Sequence, residues 1–272
     1  MAQKLIHKIL FGILVILITV LAYRIIKSPI SNDISTPVVT TIGQTSSTLE
    51  EEKEKITHIV KEYIMNNPEV IIESIEQLQK RKMHEIEAKV KEYITQKRLE
   101  IENATSFPTI GNAHGDIIIV SFYDYNCSYC KKGDGYIDQA LESNNDVKVI
   151  LRPFPILGES SVYAAKVALS VHKLAPDKFK IIHRELMRIK PITANTVEQL
   201  ATNNGIDWET LQSEINNIEI QNLIDQSFEI ANNLRIQGVP AYIINGTLLP
   251  GVVDFAQLQK LLADIRVKAP EQ

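Results

Sequence analysis

With 272 residues, 44% of them hydrophobic and 23% charged, the chain is long enough to bury a core without covalent staples, as one large domain or two small ones. A formal net charge of −4 supplies no general attraction to nucleic acid. The two cysteines exclude a disulfide scaffold, and a bridge across two intervening residues closes too small a loop to take much entropy from the unfolded chain.

Lys4 and Lys8 lead into fifteen uncharged residues, ILFGILVILITVLAY, which end at Arg24. A basic start before an apolar run of this length is the layout of an export signal, and the run is short for a comfortable membrane span. Residues 1–26 therefore read as a signal peptide, or as a membrane anchor where Leu21-Ala22-Tyr23, a weak cleavage site, is not cut. Either way the bulk of the chain is expected outside the cytoplasm, where oxidised cysteines persist. Residues 27–48, rich in Ser, Thr and Pro, read as a flexible linker.

From Leu49 the sequence becomes highly charged with apolar residues at helical spacing. Ser47 or Thr48 is expected to cap a helix bearing Ile56, Ile59, Val60, Tyr63 and Ile64. Asn67-Pro68 breaks it, and a second helix carries Ile71, Ile72, Ile75, Leu78, Met83, Ile86, Val90 and Ile94. Neither narrow stripe can be buried by its own helix. Residues 49–106 thus either pack on the following domain or form a homo-oligomer, dimer or trimer, through residues 49–104.

Asp116 to Tyr123 is a β-branched and aromatic run suited to a central strand. A helix is expected over Lys131–Ser143, a strand over Val147–Leu151, and helices throughout about 158–236. Their starts are read at Ser160 or Ser161, Asp177, Thr196, Asp207 and Gln221. Pro240–Ile244 then reads as a strand, Asn245-Gly246 as a type I′ hairpin turn, Thr247–Leu249 as its partner, and Asp254–Val267 as a closing helix. A β-α-β unit, a helical block and a β-β-α unit in that order make an α/β thioredoxin fold over residues 107–268, with a helical insertion.

The cysteines sit in YNCSYCKKG, at the junction of strand and helix. Unpaired N–H groups and the positive end of the helix dipole gather there and favour the Cys127 thiolate, the form that attacks a disulfide. Cys130, one turn on, is placed to resolve the mixed disulfide. Zinc would need four ligands, and no second CxxC or paired histidine set accompanies this one; His114, His172 and His183 are scattered, as surface or satisfied core histidines are. No metal and no cofactor are expected. Gly238-Val239-Pro240 precedes a strand, where proline costs a ladder donor and needs a reason. A cis Val239-Pro240 bond would turn the Val239 backbone toward the cysteines and leave its N–H and C=O to pair with an extended substrate.

Three segments, IIIVSFYDYNCSYCKK, VKVILRPFPILGESSVYAAKVAL and GVPAYIINGTLLPG, resemble the DsbA family of thiol-disulfide oxidoreductases over about residues 107–267. The resemblance implies that Cys127 attacks, Cys130 resolves and Pro240 is the cis-proline facing them, with Val239 before it. It implies a periplasmic enzyme that forms disulfides in exported proteins, with reduced or misoxidised exported proteins as substrates, a separate redox partner and no nucleic acid. The helices around YIMNNPEVIIESIEQLQ resemble the oligomerising segment of some bacterial members. Strong oxidases carry Pro-His between the cysteines; Ser128-Tyr129 is closer to isomerases, so an isomerase or reductase is the alternative, and a non-catalytic envelope chaperone a further one. The buried acid found six residues before the first cysteine in thioredoxin is Ser121 here. The nearest acid, Asp124, reads as a turn or surface carboxylate.

Overall fold

The computed structural model describes residues 39–102 and 105–268. The expected signal or anchor, its cleavage site and most of the linker lie outside them. Among the described residues no helix is long and apolar enough to cross a membrane. The chain falls into two compact units, one ending at Ile75 and the other running from Glu76. The second unit therefore takes in part of the 49–106 segment.

Two long helices open the described chain, α1 (Val39–Asn66) and α2 (Glu69–Gln96). α1 begins well before the expected cap, and Ser47 and Thr48 lie inside it. Once a turn has formed, each further residue fixed adds a hydrogen bond, and Ser and Thr oppose that only weakly. Asn67-Pro68 separates the helices as expected. Ile56, Ile59, Tyr63, Ile72 and Met83 are exposed, whereas Ile94 is buried and Val90 packs beside it against the sheet unit. The end of the stripe thus packs on the following domain, and the residues named before it are exposed.

The sheet unit continues with α3 (Arg98–Ile101), β1 (Thr109–Gly111), β2 (Ile117–Tyr123), α4 (Ser128–Ser143) and β3 (Val147–Pro153). Five helices follow, α5 (Glu159–Leu174), α6 (Phe179–Arg188), α7 (Ala194–Asn203), α8 (Trp208–Ile215) and α9 (Ile218–Asn233). The chain then returns through β4 (Ala241–Ile244), β5 (Thr247–Pro250) and α10 (Phe255–Lys268). The strand order is β1-β3-β2-β4-β5, with β2 and β3 parallel and the other neighbours antiparallel. This is the thioredoxin fold with a helical insertion between β3 and β4. β1, an edge strand of three residues, was not legible as a strand.

Side chains alternate across β2 and divide the core. Ile119 and Tyr123 join Val149, Leu151, Ile244, Leu258 and Leu262 on one face; Val120 and Phe122 join Ile150, Phe154, Ile243, Ile94 and Ile224 on the other. Both faces of the central strands are therefore dry, which explains their unbroken apolar runs. Asn245 and Gly246 have φ of 47° and 77°, the paired positive values that the expected I′ turn demands.

Helix starts differ where several small polar residues compete. α7 is capped by Thr193, whose Oγ1 accepts from the Thr196 N–H at 3.3 Å, so Thr196 answers a cap instead of being one. α9 is capped by Asn217, ahead of the expected Gln221. Asp207 caps α8 as expected, accepting from Thr210 N–H at 2.9 Å. α5 starts behind Gly158, whose φ of 108° suits glycine, and Ser160 and Ser161 are left for another task.

Candidate active site

α4 starts at Ser128, three residues earlier than expected, because Cys127 is its cap: the Cys127 sulfur accepts from the Cys130 N–H at 3.3 Å. A sulfur can take the place of the usual capping oxygen, a pattern that propensity does not anticipate. Both cysteines are buried, Cys127 at 7% exposure and Cys130 at 1%. The Asp124 N–H points at the Cys130 sulfur at 3.5 Å. Burial pushes the Cys130 thiol far above its ordinary range.

The Val239-Pro240 peptide is cis, and the Val239 carbonyl accepts from the Cys127 thiol at 3.4 Å. The structure thus brings together the four residues singled out in sequence. The carbonyl is engaged by the thiol here, where the sequence reading left it open; it becomes available once Cys127 gives up its proton. Val239 and Pro240 also line an apolar groove of about 700 Å³, walled by Ile86, Val90 and Ile94 of α2 and by Leu248 of β5.

The turn before the cysteines is held from both sides. Asp124 is only 1% exposed, a turn residue but not a surface one. Its carboxylate accepts from the Asn126 N–H at 2.8 Å and the Leu157 N–H at 3.0 Å, tying the turn to the chain that follows β3. Asn126 in turn donates to Ser160 and Ser161, each at 2.9 Å. The serines read as helix caps thus anchor the residue beside Cys127 to α5.

Behind Cys130 lies a polar chain that sequence reasoning missed. The Tyr123 hydroxyl donates to Tyr125 at 3.2 Å, Tyr125 meets His183 Nδ1 at 2.7 Å, and His183 Nε2 meets Asp134 Oδ1 at 3.0 Å. His183 is 1% exposed and stacks on Phe179, a satisfied core histidine as expected. Its partner Asp134, four residues past Cys130, gave the one available signal, since residues at that spacing share a helix face. Burial raises both tyrosines above their ordinary range. Among the described residues no cluster of three or more His, Cys, Asp or Glu side chains is arranged to hold a metal.

A family model described as the DSBA-like thioredoxin domain matches residues 118–263, more than half of the chain. A second, the copper resistance protein ScsC N-terminal domain, matches residues 52–83. The chain is 24% identical over 166 residues to a probable disulfide bond formation protein D of Bacillus anthracis, covering 57% of this chain and 76% of that one. Among solved structures, a linker-deletion mutant of Proteus mirabilis ScsC is 29% identical, covers 80% of this chain and 96% of its own, and has a TM-score of 0.62. A periplasmic thioredoxin-like protein of Salmonella enterica serovar Typhimurium is 30% identical, covers 61% and 94%, and has a TM-score of 0.54. The matched family spans β2, the cysteine pair, the helical insertion and the strand after Pro240, and the chain belongs to it: it is a DsbA-family thiol-disulfide oxidoreductase.

Proposed function

We propose that the protein forms disulfides in exported proteins in the periplasm, with Cys127 exchanging and Cys130 as its resolving partner. The observation that carries this reading is the Cys127 sulfur at the start of α4, capped by the Cys130 N–H with the Val239 carbonyl against it. Cys127 takes the outer role because it is the more exposed of the two.

In the oxidised protein a substrate thiolate attacks the Cys127 sulfur, the Cys127–Cys130 bond breaks, and Cys130 leaves with the electron pair. A second substrate thiolate attacks the substrate sulfur of the mixed disulfide, and Cys127 leaves. The substrate loses two electrons and the pair gains them, so a separate redox partner must remove them before the next turnover. The exchange itself needs no cofactor. Val239 and Pro240, at the head of the apolar groove, are assigned to hold an extended substrate chain. The basic and apolar N-terminus and the periplasmic Salmonella relative support the location.

An oxidation assay on a reduced protein substrate tests the reading: Cys127→Ala should abolish turnover, and full retained activity would defeat it. The reduction potential of the pair tests direction, since strong oxidases lie near about −120 mV and thioredoxin near about −270 mV.

A second reading, disulfide isomerisation by a homo-oligomer, is favoured by the exposed stripe from Ile56 to Met83 and by its overlap with the matched ScsC segment. Large exposed apolar faces are covered in working proteins. Replacing Ile59 and Ile72 with Glu should then lower the mass measured by ultracentrifugation and the refolding of scrambled ribonuclease together; a monomeric wild type rules this reading out.

A further inference from the structure

Thiol exchange at this pair, the reading on which the following rests, leaves a proton to be placed. Cys130 is all but sealed from water, yet its sulfur must shed a proton to attack a mixed disulfide and regain one after it has been displaced. The Asp124 N–H that meets the Cys130 sulfur can only donate. The Asp124 carboxylate is engaged by two backbone N–H groups that fix the turn.

Asp134 is placed differently. It stands one turn beyond Cys130 on the same face of α4. Cys130 and Asp134 both line one small space, too tight for a water molecule, closed by Ser121, Tyr123 and Tyr242. The Tyr242 hydroxyl lies so close to Gly133, the residue before Asp134, that a Cβ there would collide with it. On its outer side Asp134 is held by His183, itself held by Tyr125. The two ring nitrogens of His183 thus bridge the Tyr125 hydroxyl and the Asp134 carboxylate. That contact uses Oδ1 and leaves Oδ2 to take a proton.

We propose that Asp134 takes the Cys130 proton when Cys130 attacks and returns it when Cys130 is displaced, and that His183 is its positioning residue. In the attack, the Cys130 S–H bond breaks, its electron pair forms the Cys127–Cys130 bond, and the Cys127–substrate bond breaks with its pair on the departing sulfur. The proton crosses to Asp134. The reverse step runs through the same atoms. The charged and titratable groups facing Asp134 are Cys130 and Asp138 on α4, His183 and Arg184 on α6, Tyr123 on β2, Tyr125 in the turn that follows β2, and Tyr242 on β4; Asp138 is paired with Arg184.

The test uses the full chain, reduced, with oxidised glutathione as the probe. Attack by Cys127 releases one glutathione thiol and attack by Cys130 the second; the second release is followed from about pH 5 to 9. Asp134→Asn should slow it about tenfold or more near neutrality, with the deficit closing as pH rises and hydroxide takes over the base's task. Asp134→Glu should recover most of the rate, and Asp138→Asn should match wild type. A purely electrostatic role predicts the opposite sign, because removing a negative charge beside Cys130 would make its thiolate easier to form. Coincident wild-type and Asp134→Asn profiles, or a faster variant, would overturn the proposal. His183→Gln leaves α4 untouched and keeps the proposal testable if Asp134→Asn does not fold; it should slow the same release and shift its pH limb, and an unchanged profile overturns it. A wild type that releases no glutathione thiol sinks the exchange reading itself, a result distinct from either.

Discussion

The Cys127 sulfur lies 3.4 Å from the Val239 carbonyl oxygen across 112 residues of sequence. The pairing joins the cysteine turn to the loop before β4, so one hydrogen bond reports on both halves of the site. Cys127→Ser keeps a donor for that carbonyl. It should therefore fold with a melting temperature within a few degrees of wild type while losing all exchange, a separation that calorimetry and an oxidation assay would show together.

Gly133→Ala should be costly for a reason unrelated to glycine's flexibility in a helix. The added methyl would meet the Tyr242 hydroxyl, and either Tyr242 or α4 must move. Overpacking of this kind costs about 1–3 kcal/mol, and because the shift occurs beside Cys130 the reduction potential should change as well. Chemical denaturation and redox titration of the same variant check both effects.

Arg152 is 1% exposed and sits over the Phe107 ring, with its centre 4.0 Å from the ring centroid. Its Nε donates to the Ile101 carbonyl at 2.9 Å and its Nη2 to the Glu100 carbonyl, closing the end of α3. Burial lowers its pKa to about 10, so it stays charged. Arg152→Met should destabilise the sheet unit by roughly 2–4 kcal/mol, because two buried carbonyls lose a donor. An unchanged urea midpoint would refute this role.

Acid should weaken the fold in two steps. His172 is partly buried, and burial holds its pKa below the ordinary 6.5. The unfolded chain takes the proton first, so this contribution is full above about pH 6.5 and is lost as pH falls below it. Asp146, paired with Arg266 at 2.7 Å, has its pKa depressed below 3.8 chiefly by that hydrogen bond. Its contribution is present above 3.8 and is lost as pH drops through the lower folded value; with both side chains over a third exposed it is worth well under 1 kcal/mol. In a pH series of melting curves, His172→Gln should flatten the first step and Arg266→Gln the second.

Much of this was legible because the signals are local. An unbroken apolar run marks β2, Asn-Gly marks the hairpin, and Val-Pro before a strand marks the loop that meets the cysteines. The pairing of Asp134 with His183 joins residues 49 apart, and nothing near either residue advertises the other. Ser160 and Ser161 carried a real signal with the wrong object, since the same hydroxyls that cap helices also accept from Asn126. The start of α4 was hidden because a cysteine sulfur took the capping role.

The central claim, that Cys127 exchanges and Cys130 resolves, is tested most directly by Cys130→Ser incubated with a disulfide-bonded peptide and examined by mass spectrometry. A stable mixed disulfide with the peptide on Cys127 is expected. No adduct, or one released as fast as in wild type, would contradict it.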